Sequence, residues 1–352
     1  MPERCEARAP TRIDLAGGTV DLWPLCLLHD RAMTVNAAIN LYARAQVTRA
    51  GSQGITIRSL DRGAALSFGS VEDLIARLPG APPDLEFPMR LAAHFLAPRG
   101  SGGPSVPPGA IPACEVTTEC AAPAGSGLGG SSTLGIALAA ALDRFVSGNR
   151  TPERLLFVTR SLETQVLRVP TGEQDYHPAL HGGVLALHYT VEGTEVERLE
   201  VDLGALGRRV LLVDTRQSRS SGLSNWDMLK RYLDGDQGVR AALEEVNRAA
   251  GAMRDALVAG DWHAAGAALG REWEARKRLS PSVSSPAIDR LIDAAREAGA
   301  TAGKVCGAGG GGCLVLWVDE DRRDAVRHRV ETSGGRVLPT SFVSRGVQVT
   351  ES

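Results

Sequence analysis

Aromatic residues make up only 4% of this 352-residue chain, too few to furnish the stacking platforms on which nucleic-acid bases rest. Excess positive charge is also missing: the formal net charge is −2, so nothing here attracts a polyanionic backbone. No stretch approaches the roughly 18–20 consecutive apolar residues of a membrane-spanning helix, and no basic region followed by an apolar run opens the chain. A cytoplasmic protein with neither nucleic-acid nor membrane partners is expected. The six cysteines (Cys5, Cys26, Cys114, Cys120, Cys306, Cys313) form no C-x-x-C pair, and a chain of this size needs no disulfide staples, so reduced thiols are expected. Internal repeats with a period of about 20–50 residues are absent as well.

What is present is ordinary globular material, 43% hydrophobic and 23% charged, in a chain longer than a single hydrophobic core usually supports. Two domains are expected, 1–203 and 204–352, with a cleft between them. The first segment, 5–48, alternates short apolar runs with turn signals and predicts strands around a Gly17-Gly18 turn. Periodicity predicts a helix over 71–97, a loop over 98–112, a strand over 113–120, and helices over 131–145 and 152–167. Thr151 as N-cap and Pro152 at the first helical position mark the last of these strongly. A strand near 183–189, a polar stretch over 191–200 and an apolar strand over 209–214 follow. Helices near 239–258, 261–279, 286–298 and 320–333 then alternate with a Gly-rich turn and with strands over 313–318 and 336–343.

The chain holds 40 glycines, and one cluster of them is Ala122-Pro-Ala-Gly-Ser-Gly-Leu-Gly-Gly-Ser-Ser-Thr133, between a strand and a helix. There Gly125, Gly127, Gly129 and Gly130 let backbone N–H groups converge on an anion, and the helix N-terminus adds partial positive charge. Phosphate is the expected guest. Gly125, Gly127 and Gly130 also satisfy G-x-G-x-x-G, but a dinucleotide-binding unit requires an acidic residue about 20 residues on, where this chain has Ser147-Gly-Asn-Arg-Thr-Pro. A Walker A loop requires a lysine, and none lies between Ala113 and Arg150. Ser131 and Ser132 could reach a magnesium ion shared with nucleotide phosphates.

Magnesium also needs a carboxylate. On the 152–167 helix, Glu163 lies beside the apolar stripe of Leu155, Leu162 and Val166, where coordination would offset the cost of burial; an exposed stripe-edge position or an ion pair with Arg160 or Arg168 is the alternative. Downstream, Pro170-Thr-Gly-Glu-Gln-Asp175-Tyr-His-Pro-Ala-Leu-His-Gly-Gly183 crowds acids, amides and histidines between turn residues, and Asp175 is its candidate base. His177 and His181 have the i, i+4 spacing of zinc ligands, but no third ligand is spaced to join them.

Three segments together resemble the GHMP kinases: Arg8-Ala-Pro-Thr-Arg-Ile-Asp-Leu-Ala-Gly-Gly-Thr-Val-Asp21, the glycine loop, and Lys304-Val-Cys-Gly-Ala-Gly-Gly-Gly-Gly312. Within the family the chain is most similar to the sugar-1-kinase branch of heptose 7-phosphate kinases and L-fucokinases, related to galactokinases. The run Asn36-Ala-Ala-Ile-Asn-Leu-Tyr-Ala43 supports that branch. The resemblance implies an α+β fold of two domains, the first like ribosomal protein S5 domain 2 and the second ferredoxin-like. It implies an ATP-dependent sugar kinase, monomeric or homodimeric, that uses Mg²⁺. Pro123, Gly125, Ser126, Gly127, Leu128, Gly129, Gly130, Ser131 and Ser132 would wrap the ATP phosphates, with Ser131 and Glu163 on Mg²⁺. Asp175 would face the acceptor hydroxyl, Arg12 would steady the base, and Gly18, Thr19, Asp21, Gln174, Tyr176, Arg216, Gly309 and Gly310 would shape the acceptor end.

Two departures bear on the acceptor. The branch typically carries a lysine where this chain has Glu173, and its Gly-Gly-Gly-Thr-Asp motif appears here as Gly17-Gly-Thr-Val-Asp21. Losing the lysine removes a positive charge, which favours an unphosphorylated sugar; Arg216 and Arg219 could restore it. A catalytically silent sugar and ATP sensor, or a kinase of a non-sugar alcohol on the same scaffold, are the alternative functions.

Overall fold

The structure, a computed structural model, describes residues 1–51, 54–97, 113–217, 222–307 and 309–352. The loop expected over 98–112 lies outside them, as does Arg219. Two long antiparallel strands open the chain, β1 (Arg4–Ala16) and β2 (Met33–Arg49). A hairpin of β3 (Ile55–Ser59) and β4 (Ala64–Phe68) precedes helices α1 (Val71–Ala76) and α2 (Pro83–Leu96). The single helix expected over 71–97 is thus broken, because Pro79 has no N–H with which to continue α1, while Pro82 and Pro83 start α2. β5 (Cys114–Cys120) leads through the glycine loop into α3 (Gly130–Phe145), α4 (Pro152–Leu167) and the short α5 (Tyr176–His181). Thr151 caps α4 as its sequence indicates, accepting from the Arg154 N–H.

The strand expected near 183–189 is β6 (Val184–Thr190), and it forms a second hairpin with β7 (Gly193–Leu199), which lies in the polar stretch 191–200 where no strand is expected. β7 lies at a sheet margin with most of its residues exposed, so no buried alternation betrays it in the sequence. α6 (Leu203–Arg209) and β8 (Val210–Asp214) are followed by helices α7 (Gly222–Leu233), α8 (Gln237–Ala259), α9 (Trp262–Lys277) and α10 (Pro286–Glu297). The chain closes with β9 (Ala300–Val305), β10 (Cys313–Val318), α11 (Arg323–Thr332), β11 (Arg336–Leu338) and β12 (Gln348–Glu351). The strand expected over 336–343 is therefore reduced to β11, and β12 lies beyond its expected end.

Among the described residues the first sheet has 8 strands, in the order β12-β1-β2-β5-β3-β4 with β6 and β7 attached to β2. β2 is long enough to pair with β6 through its first half and β5 through its second, so the sheet forks, and the glycine loop emerges from β5 at the fork. The second sheet has 4 strands in the antiparallel order β11-β8-β10-β9, the ferredoxin-like arrangement implied by the resemblance. α2, α3 and α4 cover one face of the first sheet, with Ile136, Leu142, Phe87 and Phe95 at the centre of that core. α8 and α9 lie between the sheets, where Ile13, Leu15, Met253, Leu269 and Trp317 form a continuous core. This packing sets the two sheets around one cavity.

Candidate active site

The cavity, of about 650 Å³, runs from the β3–β4 hairpin and α2 past the glycine loop to the 17–21 turn. In the loop Gly125, Gly127 and Gly129 adopt φ of 69°, 75° and 72°. This alternation of left-handed and ordinary residues makes a nest of N–H groups for an anion, and only glycine adopts it without strain. α3 begins directly behind it with no side-chain cap, so its first N–H groups are left for a ligand. Pro123, Ser126, Gly130, Ser131 and Ser132 line the cavity with these glycines. Leu128 does not: it is fully buried in the core between the sheets, and its carbonyl accepts from the Arg12 N–H at 3.2 Å. Leu128 pins the loop rather than lining it.

The third glycine motif braces this loop from the second sheet. A Cβ on Gly312 would lie 2.6 Å from the carbonyl oxygens of Gly125 and Ser126, and the Cys313 N–H donates to Ser126 at 2.8 Å. Gly309 and Gly310, expected at the acceptor, instead pack on Val283, whose carbonyl accepts from the Gly310 N–H at 2.7 Å. Of this motif's described residues, Gly307 is the one that lines the cavity.

Arg12 projects from β1 and holds Asp175 at the N-terminus of α5. Its Nε donates to Asp175 Oδ1 at 2.8 Å, its Nη2 donates to the same oxygen, and its Nη1 donates to the Gly127 carbonyl. Asp175 in turn lies against Gly129, where a Cβ would stand 3.1 Å from the Asp175 carboxyl carbon. Arg12 is buried; burial opposes its charge, and the neighbouring Asp175 more than compensates, raising its pKa.

Glu163 is 2% exposed, and among the described residues no arginine or lysine lies within ion-pair distance. Arg160, a candidate partner, pairs with Glu173. Glu163 Oε2 accepts from Ser132 Oγ at 2.8 Å and Tyr176 Oη at 2.5 Å. Burial raises the Glu163 pKa, while hydrogen bonds from Ser131, Tyr176 and Ser132 restrain the rise. Tyr176, expected at the acceptor, lines the cavity and also holds Glu163.

At the other end Asp21 is 4% exposed. It accepts from the Thr19 N–H at 3.1 Å, the Gln174 N–H at 3.1 Å and Gln174 Nε2 at 3.2 Å. Burial, then the nearby Asp175 charge, pushes its carboxyl up to about 6. Asn36 Nδ2 holds the Gln174 carbonyl at 3.2 Å. Glu173 is outside the cavity lining: it pairs with Arg160 and accepts from Thr194 Oγ1 at 2.7 Å. The charge that replaces lysine is thus neutralised away from the pocket. Arg216 is exposed and also outside the lining, its N–H donating to Asp214 Oδ1 at 2.8 Å. Gly18 lies behind the wall, and its carbonyl accepts from Arg276 at 2.7 Å.

Several residues of the site carry no signal in the sequence. Ser59, Asp61 and Arg62 of the β3–β4 hairpin and Pro83, Phe87 and Pro88 of α2 also wall the cavity, and they belong to no motif. Arg276 and Asn225 read as ordinary polar helix positions until the fold places them.

Comparison with known families decides what this arrangement is. Residues 88–183 match the GHMP kinases N terminal domain, and residues 253–336 match GHMP kinases C terminal. The chain belongs to the GHMP kinase family. Among curated relatives, this GHMP kinase is 25% identical over 345 residues to the D-glycero-alpha-D-manno-heptose 7-phosphate kinase of Campylobacter jejuni, covering 97% of each chain. It is 28% identical over 374 residues to the L-fucokinase/L-fucose-1-P guanylyltransferase of Bacteroides fragilis, covering 98% of this chain and 38% of that longer one. Among solved structures, a D-glycero-D-manno-heptose 1-phosphate kinase from Bacteroides thetaiotaomicron superposes over 99% of both chains with a TM-score of 0.78 and 24% identity. That likeness establishes the fold, an α+β fold of two parts. Among the described residues, no helix is long and apolar enough to cross a membrane.

Proposed function

We propose that this GHMP kinase transfers the γ-phosphoryl group of ATP to a hydroxyl of a sugar, with Asp175 as the base. The observation that carries the reading is the seat of Asp175: it rests on Gly129 of the phosphate loop, and Arg12 bonds both Asp175 and Gly127. Base and phosphate cradle therefore share one wall, and a hydroxyl on Asp175 would face the terminal phosphate. Phosphoryl transfer has a loose transition state, so alignment and neutralisation of charge supply most of the acceleration. Asp175 orients the hydroxyl and takes its proton as the new bond forms. Arg12 fixes that carboxylate and adds positive charge beside the loop.

The Glu163 site suits Mg²⁺, which favours one or two carboxylates plus phosphate and water oxygens. A buried carboxylate ringed by serine and tyrosine hydroxyls, with no basic side chain to neutralise it among the described residues, has that character. Glu163 and Ser131 would hold the ion, which would neutralise phosphate oxygens during transfer.

Asp21, Gln174 and Thr19 would recognise sugar hydroxyls. The names of the relatives, a heptose phosphate kinase and a fucokinase, support a sugar acceptor. Among the described lining residues, the acceptor end has no cation besides the Asp175-paired Arg12, which favours an unphosphorylated sugar. The test is ADP release with Mg-ATP and a panel of free and phosphorylated hexoses and heptoses. Turnover greatest with a free sugar is the expected result. ATP and sugar binding without ADP release on any member would replace this reading with the silent sensor.

A further inference from the structure

Beneath the acceptor end lie four charged side chains almost sealed from solvent: Asp14, Glu272 and Lys304 are 0% exposed and Arg276 is 1% exposed. Asp14 stands on β1 two residues beyond Arg12, on the same strand face. Lys304 comes from β9 in the other sheet, and Glu272 and Arg276 lie one turn apart on α9. Lys304 Nζ is 3.2 Å from Asp14 Oδ1 and 3.0 Å from Glu272 Oε1. Arg276 Nε donates to Glu272 Oε1 at 2.9 Å, and Arg276 Nη2 lies 3.3 Å from Asp14 Oδ2.

Stability alone does not account for this cluster. Desolvation consumes most of what buried ion pairs gain, and apolar side chains of similar volume often hold a core as well or better. What apolar groups could not do is bind the backbone of two loops. Arg276 donates to the Gly18 carbonyl at 2.7 Å and to the Gly307 carbonyl at 2.8 Å, and reaches Thr19 Oγ1 at 3.4 Å. Gly18 and Thr19 follow β1 in the first sheet, Gly307 follows β9 in the second, and Thr19 and Gly307 both line the cavity.

The 17–21 turn sits directly on the cluster: a Cβ on Gly18 would stand 2.1 Å from Asp14 Oδ2 and 2.7 Å from Arg276 Nη2. Thr19 has φ 83°, a conformation that a β-branched residue keeps only where its surroundings enforce it. In that conformation its N–H donates to Asp21 Oδ1 at 3.1 Å. Contacts therefore run from Arg276 through Gly18 and Thr19 to Asp21, and from the same guanidinium to Gly307 opposite. A lysine lacks the planar fork that spans both carbonyls.

We propose that Arg276 is a positioning residue for phosphoryl transfer, aimed by Asp14 and Glu272, that fixes the acceptor-facing loops of both sheets through Gly18, Thr19 and Gly307. The proposal rests on the sugar-kinase reading above. Its test is Arg276→Lys, which keeps the charge balance and loses the fork, assayed with Mg-ATP and the panel sugar of highest turnover. Because small misplacements of a substrate are costly, kcat/KM for the sugar should fall on the order of 10²-fold, while KM for Mg-ATP stays within about threefold.

Amide hydrogen exchange supplies a second readout that needs no turnover. Protection should fall together over residues 17–22 and at Gly307, and stay unchanged over the 123–133 loop. A second variant, Glu272→Met with Arg276→Met, leaves the Asp14–Lys304 pair intact and should remain folded. It should lose sugar turnover in the same way. Loss of active fraction with both KM values unchanged, or loosening spread evenly over the chain, would overturn the proposal. A wild-type protein that turns over no panel sugar would defeat the kinase reading instead, and the exchange pattern would still decide what Arg276 orders.

Discussion

The glycine loop at one end of the cavity is made of neighbours in sequence, whereas the surroundings of Asp21 at the other are drawn from both sheets. The 123–133 loop needs three left-handed glycines and a helix start, all within one segment. Its tolerance is set by backbone conformation and by the side chain that leans on it. Asp21 instead depends on Gln174, Thr19, Asn36 and, through the turn, on charges contributed by β1, α9 and β9. A loop of the first kind can hold one cofactor while the second kind is altered, which is how one scaffold serves different acceptors.

Asp175→Asn would break this comparison most severely, because Asp175 joins the two ends. Transfer should fall by about 10²–10⁴-fold, the usual worth of a positioned base, with nucleotide affinity nearly unchanged. Single-turnover kinetics beside a nucleotide-binding titration would check it, and near-normal turnover would remove Asp175 from the base role.

Gly129→Ala tests the seat of that base. The added methyl would stand 3.1 Å from the Asp175 carboxyl carbon at a φ of 72°, and displacement of the carboxylate should lower kcat on the order of 10²-fold. The folded variant's kcat is the measurement.

Tyr176→Phe sharpens the difference between the ends, since it removes one hydrogen bond from Glu163 and leaves Asp21 untouched. The magnesium concentration for half-maximal rate should rise by about tenfold or more, as when an outer partner of a metal ligand is lost, while KM for the sugar stays constant.

Asp21→Asn should change folding stability, by an amount that depends on pH. The folded carboxyl titrates at about 6 against an ordinary value of 3.8, so between these values the folded state retains a proton that the unfolded chain releases. Wild-type stability therefore falls as pH rises through that window, by on the order of 3 kcal/mol from this group. The stability of Asp21→Asn relative to wild type should improve from pH 4 to pH 6.5 and then level off. Denaturant titrations across that range measure it, and a pH-independent difference would refute the assignment.

Much of the phosphate end was legible without a fold. Glycine spacing, two serines and a capped helix carrying Glu163 name that end directly, because nests, caps and helix faces are decided by residues within a few positions of each other. Leu128 was the exception, and its pinning role emerges only when β1 lies beside it. The acceptor end resisted. Glu173 reads as a lost positive charge beside the substrate until Arg160 and Thr194 are found holding it elsewhere. Gly309 and Gly310 read as pocket glycines until Val283 is found against them. Strand β7 escaped because a mostly exposed margin strand has no buried face to advertise.

Sequence alone thus determined the family, the α+β alternation and the turn of the glycine loop into a helix, since these follow from local backbone preference and short motifs. Tertiary structure alone decided that Tyr176 holds Glu163 and that Arg276 ties two loops together. The physical reason is range: glycine conformations and helix caps are settled by adjacent residues, whereas a buried charge takes its meaning from whichever distant partner folding brings within reach.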